Sequence, residues 1–311
     1  MLEFIVMVGI SGSGKTTAAY EVAKTNNAIV ISSDDIRETL LGDVNDQTQN
    51  ARVFAKMYSE ARIWLENGRN VVYDATNLNA KKRKALIRKL REDIGEVYCK
   101  AIIVCTTPDE CHKRNAERDR VVPKEVIDRQ LASFQVPSYL EGFNNIEIYT
   151  SESEEICTKY LNKLFAKARL MKHDNPHHND TVSEHCVKVS LSMTGYDNRP
   201  KYNSMHVVAW TGFYHDIGKV LTKTYDDKGI AHFYNHDNVS SYLILLNNNA
   251  RYLMTKELLE ASFAIGNHMK HFSYKDVRKF NAWLSSLPPK TEELLKLLIK
   301  ADMKNCVEEV N

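Results

Sequence analysis

The chain has 311 residues, with 42 Lys and Arg against 40 Asp and Glu and a hydrophobic fraction of 43%. That length exceeds one compact core and sets an expectation of two domains of roughly 150 residues each. The nearly balanced charge excludes a bulk polycation that coats nucleic acid or acidic membrane, so any polyanion site must be local. Over residues 1–150, short apolar runs alternate with longer polar, periodic stretches. Residues 2–8, 28–32, 70–74, 100–105 and 146–150 read as strands rich in Ile and Val. Residues 15–24, 46–67, 80–92, 109–118 and 124–134 read as helices between them. This alternation predicts an α/β domain with a mostly parallel sheet flanked by helices on both faces.

After Ser151 the strand signals nearly vanish. Residues 151–172 read as a connecting helix, opening on an acid-rich turn, Ser151-Glu152-Ser153-Glu154-Glu155, that suits a helix N-terminus. Residues 173–311 read as an all-α domain, with helices near 181–194, 204–217, 235–249, 255–268, 274–285 and 291–309. Every histidine but His112 falls between His173 and His271, and histidine is the usual nitrogen ligand of transition metals. The six cysteines form no Cys-x-x-Cys pair or disulfide-like spacing, which fits a reducing cytoplasm. The apolar run 2–8 stops at Gly9, too short for a membrane span or signal-peptide core, and nothing else approaches membrane length, so a soluble protein is expected.

The octet Gly9-Ile10-Ser11-Gly12-Ser13-Gly14-Lys15-Thr16 satisfies the phosphate-loop pattern, with a strand before it and a helix after it. Its glycines let backbone N–H groups turn onto a β-phosphate, Lys15 supplies charge toward the β- and γ-phosphates, and Thr16 can ligate Mg2+. Ser11, Ser13 and Thr17 complete the nucleotide-binding set. The next strand runs into Asp34-Asp35-Ile36-Arg37, at the carboxyl end of a strand where open α/β sheets bind ligands. There Asp34 can accept a proton from an attacking hydroxyl and Arg37 can clamp a phosphate; a helix cap followed by a solvated charge explains the same residues. Asp74, at the end of its strand, suits Mg2+ or its water shell, and the segment from Lys113 to Arg118 opens a basic lid of the kind phosphoryl transfer needs.

These four segments resemble the kinase domain of the phage-type 5′-polynucleotide kinases over roughly residues 1–150. The resemblance implies transfer of the γ-phosphate of ATP, or another NTP, with Mg2+, to a 5′-hydroxyl. It assigns Asp34 as general base, Arg37 to the phosphate next to the acceptor hydroxyl and Arg118 as the lid arginine, with Arg120 a rival for the lid because the lid is slightly short. The run 81–91 holds seven basic residues and no acid; it reads as a solvated helix face with an apolar stripe, in preference to a nucleic-acid track.

His215-Asp216 is weak by itself, but ligand-type residues recur at His185, His236, His268 and Asp302. The second half resembles the HD phosphohydrolase superfamily, whose quartet carries over as His185, His215, Asp216 and Asp302. The stretches His232–His236 and Gly266–His268 resemble tRNA-processing HD domains, placing His236 and His268 at a second metal or the scissile phosphate, and Lys219 at a phosphate. Mixed nitrogen and carboxylate ligation suits Mn, Ni, Co, Zn or Fe better than Mg2+. Such a metal lowers the pKa of bound water and polarises a phosphoryl oxygen. The pair His177-His178 reads equally as pocket lining or exposed loop.

Together the two halves look like a bifunctional end-healing enzyme. The first phosphorylates a 5′-hydroxyl; the second removes a 3′-phosphate or a 2′,3′-cyclic phosphate. RNA ends, tRNA among them, are favoured over DNA because a cyclic phosphate requires a 2′-OH, and a separate RNA ligase would take the product. Two rivals stand beside this: a nucleoside or small-alcohol kinase fused to an HD nucleotidase, and a kinase with a catalytically silent HD module that binds RNA.

Overall fold

The computed structural model of the protein describes residues 1–118, 120–176, 179–195, 200–249 and 254–306. Its chain divides into two units, residues 1–127 with 137–151, and residues 128–136 with 152–311. Residues 128–136, read from the sequence as part of the first domain, cluster with the second unit.

The first unit is built on five strands, β1 (Glu3–Val8), β2 (Ala28–Ser32), β3 (Asn70–Asp74), β4 (Tyr98–Cys105) and β5 (Asn145–Thr150), in the order β2-β3-β1-β4-β5. Every pairing is parallel. The central strands are apolar on both faces because helices cover both. On one face α1 (Lys15–Thr25) buries Ala18, Ala19 and Ala23 against Ile5, Met7, Val72, Ile102 and Val104.

An α-helix of this unit and the short 3-10 helix Tyr139–Glu141 have no counterpart in the sequence reading. Strand β2 passes directly into α2 (Ser33–Leu41), because the Ser32 hydroxyl accepts from the Asp34 and Asp35 N–H groups and caps the helix. Helix α3 (Asn50–Glu66) starts later than residue 46, since the Asp46 carboxylate instead accepts from the Thr48 N–H and hydroxyl at 2.7 and 2.6 Å and holds a turn. In α4 (Ala80–Ile94) the basic run presents most of its cations to solvent, whereas Arg83 joins Ile87 and Leu90 on the buried face. Arg83 makes a bidentate pair with the buried Glu141 at 2.7 Å on each arm and donates to the Asn77 carbonyl at 2.8 Å. Helix α5 (Pro108–Ala116) follows β4, and α6 (Lys124–Ala132) leads into the second unit.

The second unit comprises α7 (Glu154–Leu170), α8 (Val182–Thr194), α9 (Met205–Tyr214), the short α10 (Lys219–Thr222), α11 (His236–Leu245), α12 (Thr255–Ile265), α13 (Val277–Ser285) and α14 (Pro289–Asn305). Its core holds Val189, Val207, Leu243, Leu258, Leu294 and Leu298, all sealed from solvent. The second unit is helical as expected, and the structure adds one small hairpin to it. Strands β6 (Lys223–Tyr225) and β7 (Ala231–Phe233) form an antiparallel hairpin, closed by the Asp226 carboxylate, which accepts from the Lys228 and Ile230 N–H groups. Three-residue strands are too short to display an alternating pattern.

Helix α9 stops at Tyr214, before the expected 217, and residues 215–219 continue as tight turns with i→i−3 bonds from Ile217 and Lys219. Gly218 is required there, since any Cβ would collide with the His236 carbonyl and the Ser240 N–H. That approach brings α11 against the turn. Helix α12 likewise ends at Ile265, and His268–Ser273 form a 3-10 helix. Among the described residues no helix is long and apolar enough to cross a membrane.

Candidate functional site

In the first unit the phosphate loop lies between β1 and α1. Gly12 and Gly14 adopt φ of 82° and 89°, and a side chain on Gly12 would run into the Cys111 backbone. The loop is pinned by the Gly9 N–H to the Thr76 carbonyl at 3.1 Å and by the Thr106 hydroxyl to the Ser13 carbonyl at 2.8 Å. The Lys15 ammonium donates to the Ile10 carbonyl at 2.7 Å. Burial pushes it down, opposed mainly by the Asp74 carboxylate. The Thr16 hydroxyl donates to the Asp74 carboxylate at 2.9 Å, and Thr16 and Thr17 are exposed at the start of α1. Burial pushes the Asp74 carboxyl up while Lys15 and Thr16 oppose it.

Asp34 projects from the first turn of α2 with its side chain 54% exposed, and two arginines bracket it. Arg37 donates to Oδ1 at 2.9 Å and Arg120 to Oδ2 at 2.9 Å. Arg37 is buried, donates also to Asn50 Oδ1 at 3.0 Å and, among the described residues, has an Nε–H with no partner. Arg120 is steadied by Asn45 Oδ1 at 2.9 Å, while the exposed Arg118 sets its charge against the Lys15 ammonium. Arg120 thus reaches Asp34, while Arg118 lies close enough to Lys15 for the two cations to repel. Arg114 borders the loop at Gly14, held by Glu110 and the Ser151 hydroxyl at 2.9 Å each. Sequence reasoning missed the pairings of Asn45 with Arg120, Asn50 with Arg37 and Ser151 with Arg114, which join separate segments of the chain. An exposed carboxylate between guanidinium groups, beside a phosphate cradle, can take a proton from a hydroxyl while the cations neutralise a transferring group.

In the second unit two groups of ligand-type atoms meet on one carboxylate. His185, His215, Asp216 and Asp302 form the first group and Asp216, His236 and His268 the second, each with its ligand atoms within 4.8 Å of one another. Asp216 Oδ2 lies 3.5 Å from His185 Nε2 and 3.4 Å from His215 Nε2, whereas Oδ1 lies 3.0 Å from His236 Nε2 and 3.6 Å from His268 Nε2. Asp302 Oδ1 closes the first group at 3.0 Å from His185 Nε2. The Nδ1 atoms of His215, His236 and His268 lie 2.7 to 2.8 Å from the carbonyls of Gly212, Phe233 and Ile265. A carbonyl only accepts, so each Nδ1 carries a proton and each Nε2 faces the cluster.

Among the described residues, Asp216 Oδ1, His236 Nε2 and His268 Nε2 are buried without a hydrogen-bond partner. Orphaned buried acceptors converging on one point are the donor set that a divalent cation satisfies, and imidazole with carboxylate suits a transition metal. Burial would drive the Asp216 and Asp302 carboxyls up, but surrounding imidazoles, with Lys219 beside Asp216, hold both well below the usual carboxylate range. Burial likewise opposes a charge on His215, yet Asp216 and then Asp302 raise it well above its ordinary value.

Lys219, expected at a phosphate, pairs with Asp216 Oδ2 at 2.6 Å. His173, singled out by no sequence signal, is buried with its ring 5.7 Å from that of His185 and is pushed down to about 4 by burial and then Lys219. His177 and His178 lie outside the described residues.

Residues 4–137 match the family model of the AAA domain, and residues 182–302 match that of the HD domain. The first match covers the phosphate loop and implies a nucleotide with Mg2+, and the second covers the histidine–aspartate cluster and implies a divalent metal. No curated protein matches it. Among solved structures it is similar to a chain of the Pnkp1/Rnl/Hen1 RNA repair complex, at 22% identity over 42% of this chain and 43% of that one, with a TM-score of 0.38. It is also similar to a gluconokinase from Sinorhizobium meliloti, at 20% identity over 51% and 90% with a TM-score of 0.35. The APS kinase CysC of Mycobacterium tuberculosis is similar at 20% identity over 52% and 98%, with a TM-score of 0.36. Likenesses at this level decide nothing about the substrate.

Proposed function

We propose that the protein is a bifunctional nucleic-acid end-healing enzyme. The first unit transfers the γ-phosphoryl group of ATP or another NTP, held with Mg2+, to a 5′-hydroxyl, and the second hydrolyses a 3′-phosphate or a 2′,3′-cyclic phosphate. Lys15 and Arg118 neutralise the donor phosphates, Thr16 and Asp74 hold Mg2+, and Asp34 takes the proton from the attacking hydroxyl. In the second unit His185, His215, Asp216 and Asp302 hold one divalent metal, and Asp216, His236 and His268 a second. A metal so held polarises the phosphoryl oxygen and acidifies water. Broken RNA is the preferred substrate, because only a 2′-OH generates a cyclic phosphate, and a separate RNA ligase joins the healed ends. The six free thiols fit a cytoplasmic protein.

The observation that carries the nucleic-acid reading is Arg37. It is a buried guanidinium beside the exposed Asp34 carboxylate, with an Nε–H that lacks a partner among the described residues. An acceptor that brings its own phosphate satisfies that donor; a bare alcohol leaves it idle. A charge-assisted hydrogen bond contributes about 1.5–3 kcal/mol, so a 3′-nucleoside monophosphate should exceed the free nucleoside in kcat/KM by about tenfold or more, and Arg37→Ala should erase the difference. Equal use of both acceptors by the parent protein would point instead to a nucleoside or small-alcohol kinase.

A further inference from the structure

The histidines that share Asp216 Oδ1 are buried, yet each has a large aromatic ring in solvent close by along the chain. Tyr234, two residues before His236, is 68% exposed, and Phe272, four residues after His268, is 71% exposed. Asn235 lies between Tyr234 and His236 with φ 58°. This left-handed residue turns the chain so that one side chain enters the cluster and the other leaves it. The Tyr234 ring is pre-stacked on His232, with centroids 5.5 Å apart and planes 7° from parallel. Phe272 rests on the His271 ring at 3.9 Å in the 3-10 helix that His268 opens. A 3-10 helix rises about 2 Å per residue, so Phe272 stands about 8 Å along it from the His268 backbone.

An exposed ring alone is ordinary surface. Here each ring belongs to the segment that supplies one of the paired histidines, whose own rings lie 5.4 Å apart. The segment carrying Phe272 also offers two exposed lysines, Lys275 and Lys279, while Lys270 lies over the Trp283 ring and Arg278 pairs with Asp276. Aromatic faces interleaved with cations are the composition that holds single-stranded nucleic acid, the rings stacking on bases and the cations tracking phosphates.

We infer that Tyr234 and Phe272 form a base-stacking mouth to the histidine–aspartate centre, recognising the terminal nucleobases of a single-stranded nucleic acid whose 3′ end is presented there. This deepens the hydrolase reading above and rests on it for the identity of the end. A phosphate at the cluster then brings its own nucleoside to the rings, whereas a phosphoester without a base gains nothing from them.

The test uses the full chain loaded with Mn2+ and a 3′-phosphorylated oligonucleotide carrying 2-aminopurine, whose fluorescence is quenched by stacking, at its 3′-terminal position. Rapid mixing reads quench and Kd, and phosphate release is followed in the same samples. Quenching is expected for the 3′-terminal label and not for a label at the 5′ end. The Tyr234→Ala/Phe272→Ala variant should lose the quench and bind at least about tenfold more weakly, with bound Mn2+ and melting profile at parent level, while Tyr234→Phe/Phe272→Tyr should restore both. The two single alanine variants, each with a partial loss, serve if the double variant is unstable. Absence of quench in the parent, or parent-like affinity in the alanine variants, overturns the inference. Quench without phosphate release sinks the hydrolase reading and leaves the stacking surface standing; release without quench does the reverse.

Discussion

Asp216→Asn tests the architecture of the second unit most sharply, because Asp216 is the one residue common to both ligand groups. Its side chain is 2% exposed, with Oδ2 at 2.6 Å from the Lys219 ammonium and Oδ1 at 3.0 Å from His236 Nε2. Asparagine keeps the shape and removes one unit of charge from both groups at once. At an effective dielectric of about 20, a unit charge within about 4 Å of a cation is worth about 4 kcal/mol, so affinity should fall by about a thousandfold. Asp302 belongs only to the first group and His236 only to the second. Isothermal titration with Mn2+ and elemental analysis of the dialysed protein should therefore show both binding steps lost in Asp216→Asn. Asp302→Asn and His236→Ala should each lose one. Parent stoichiometry in Asp216→Asn, or loss of a single step, would refute a shared carboxylate.

Three further outcomes follow from other parts of the molecule. Metal affinity should fall as pH falls, because the proton that Asp216 and Asp302 hold on His215 must leave when a cation binds its Nε2. The expected slope is about tenfold per pH unit for each proton released, and calorimetry from about pH 6 to about pH 8 that found no slope would contradict it. Arg118→Ala should raise KM for the NTP and Arg120→Ala KM for the acceptor, each by about tenfold, since Arg120 contacts Asp34; the opposite split would exchange their roles. Glu141→Ala leaves Arg83 buried and uncompensated, and a cost of about 3–5 kcal/mol should appear in urea unfolding of the first unit; a change below about 1 kcal/mol would show that Arg83 finds water.

How much of this was legible in the sequence depends on how local each feature is. The phosphate loop could be read because eight consecutive residues carry the whole cradle and its flanks announce strand and helix. Helix α2 could not, since Ser32 both ends β2 and caps the helix, leaving no break between the two patterns. The bracket of Asp34 by Arg120 and of Arg37 by Asn50 joins distant segments, and nothing in either segment points to the other. For the second unit, residue types suggested a metal but only a resemblance grouped them, because the members sit on separate helices and turns. That Asp216 divides its two oxygens between the groups is a matter of angstroms that no spacing encodes. Arg83 was hidden in a run of cations, although its place one helical turn before Ile87 already sets it on the apolar stripe.

The central claim, one chain healing both ends of a strand at two separate sites, is tested most directly on one oligonucleotide bearing a 5′-hydroxyl and a 2′,3′-cyclic phosphate. It is incubated with ATP and Mg2+, then with Mn2+ or Ni2+, and both ends are read. The parent protein should phosphorylate the 5′ end and clear the 3′ end; Lys15→Ala should retain only the 3′ reaction and Asp216→Ala only the 5′ reaction. A parent that leaves either end untouched with every metal, or a single substitution that abolishes both reactions, would contradict the account.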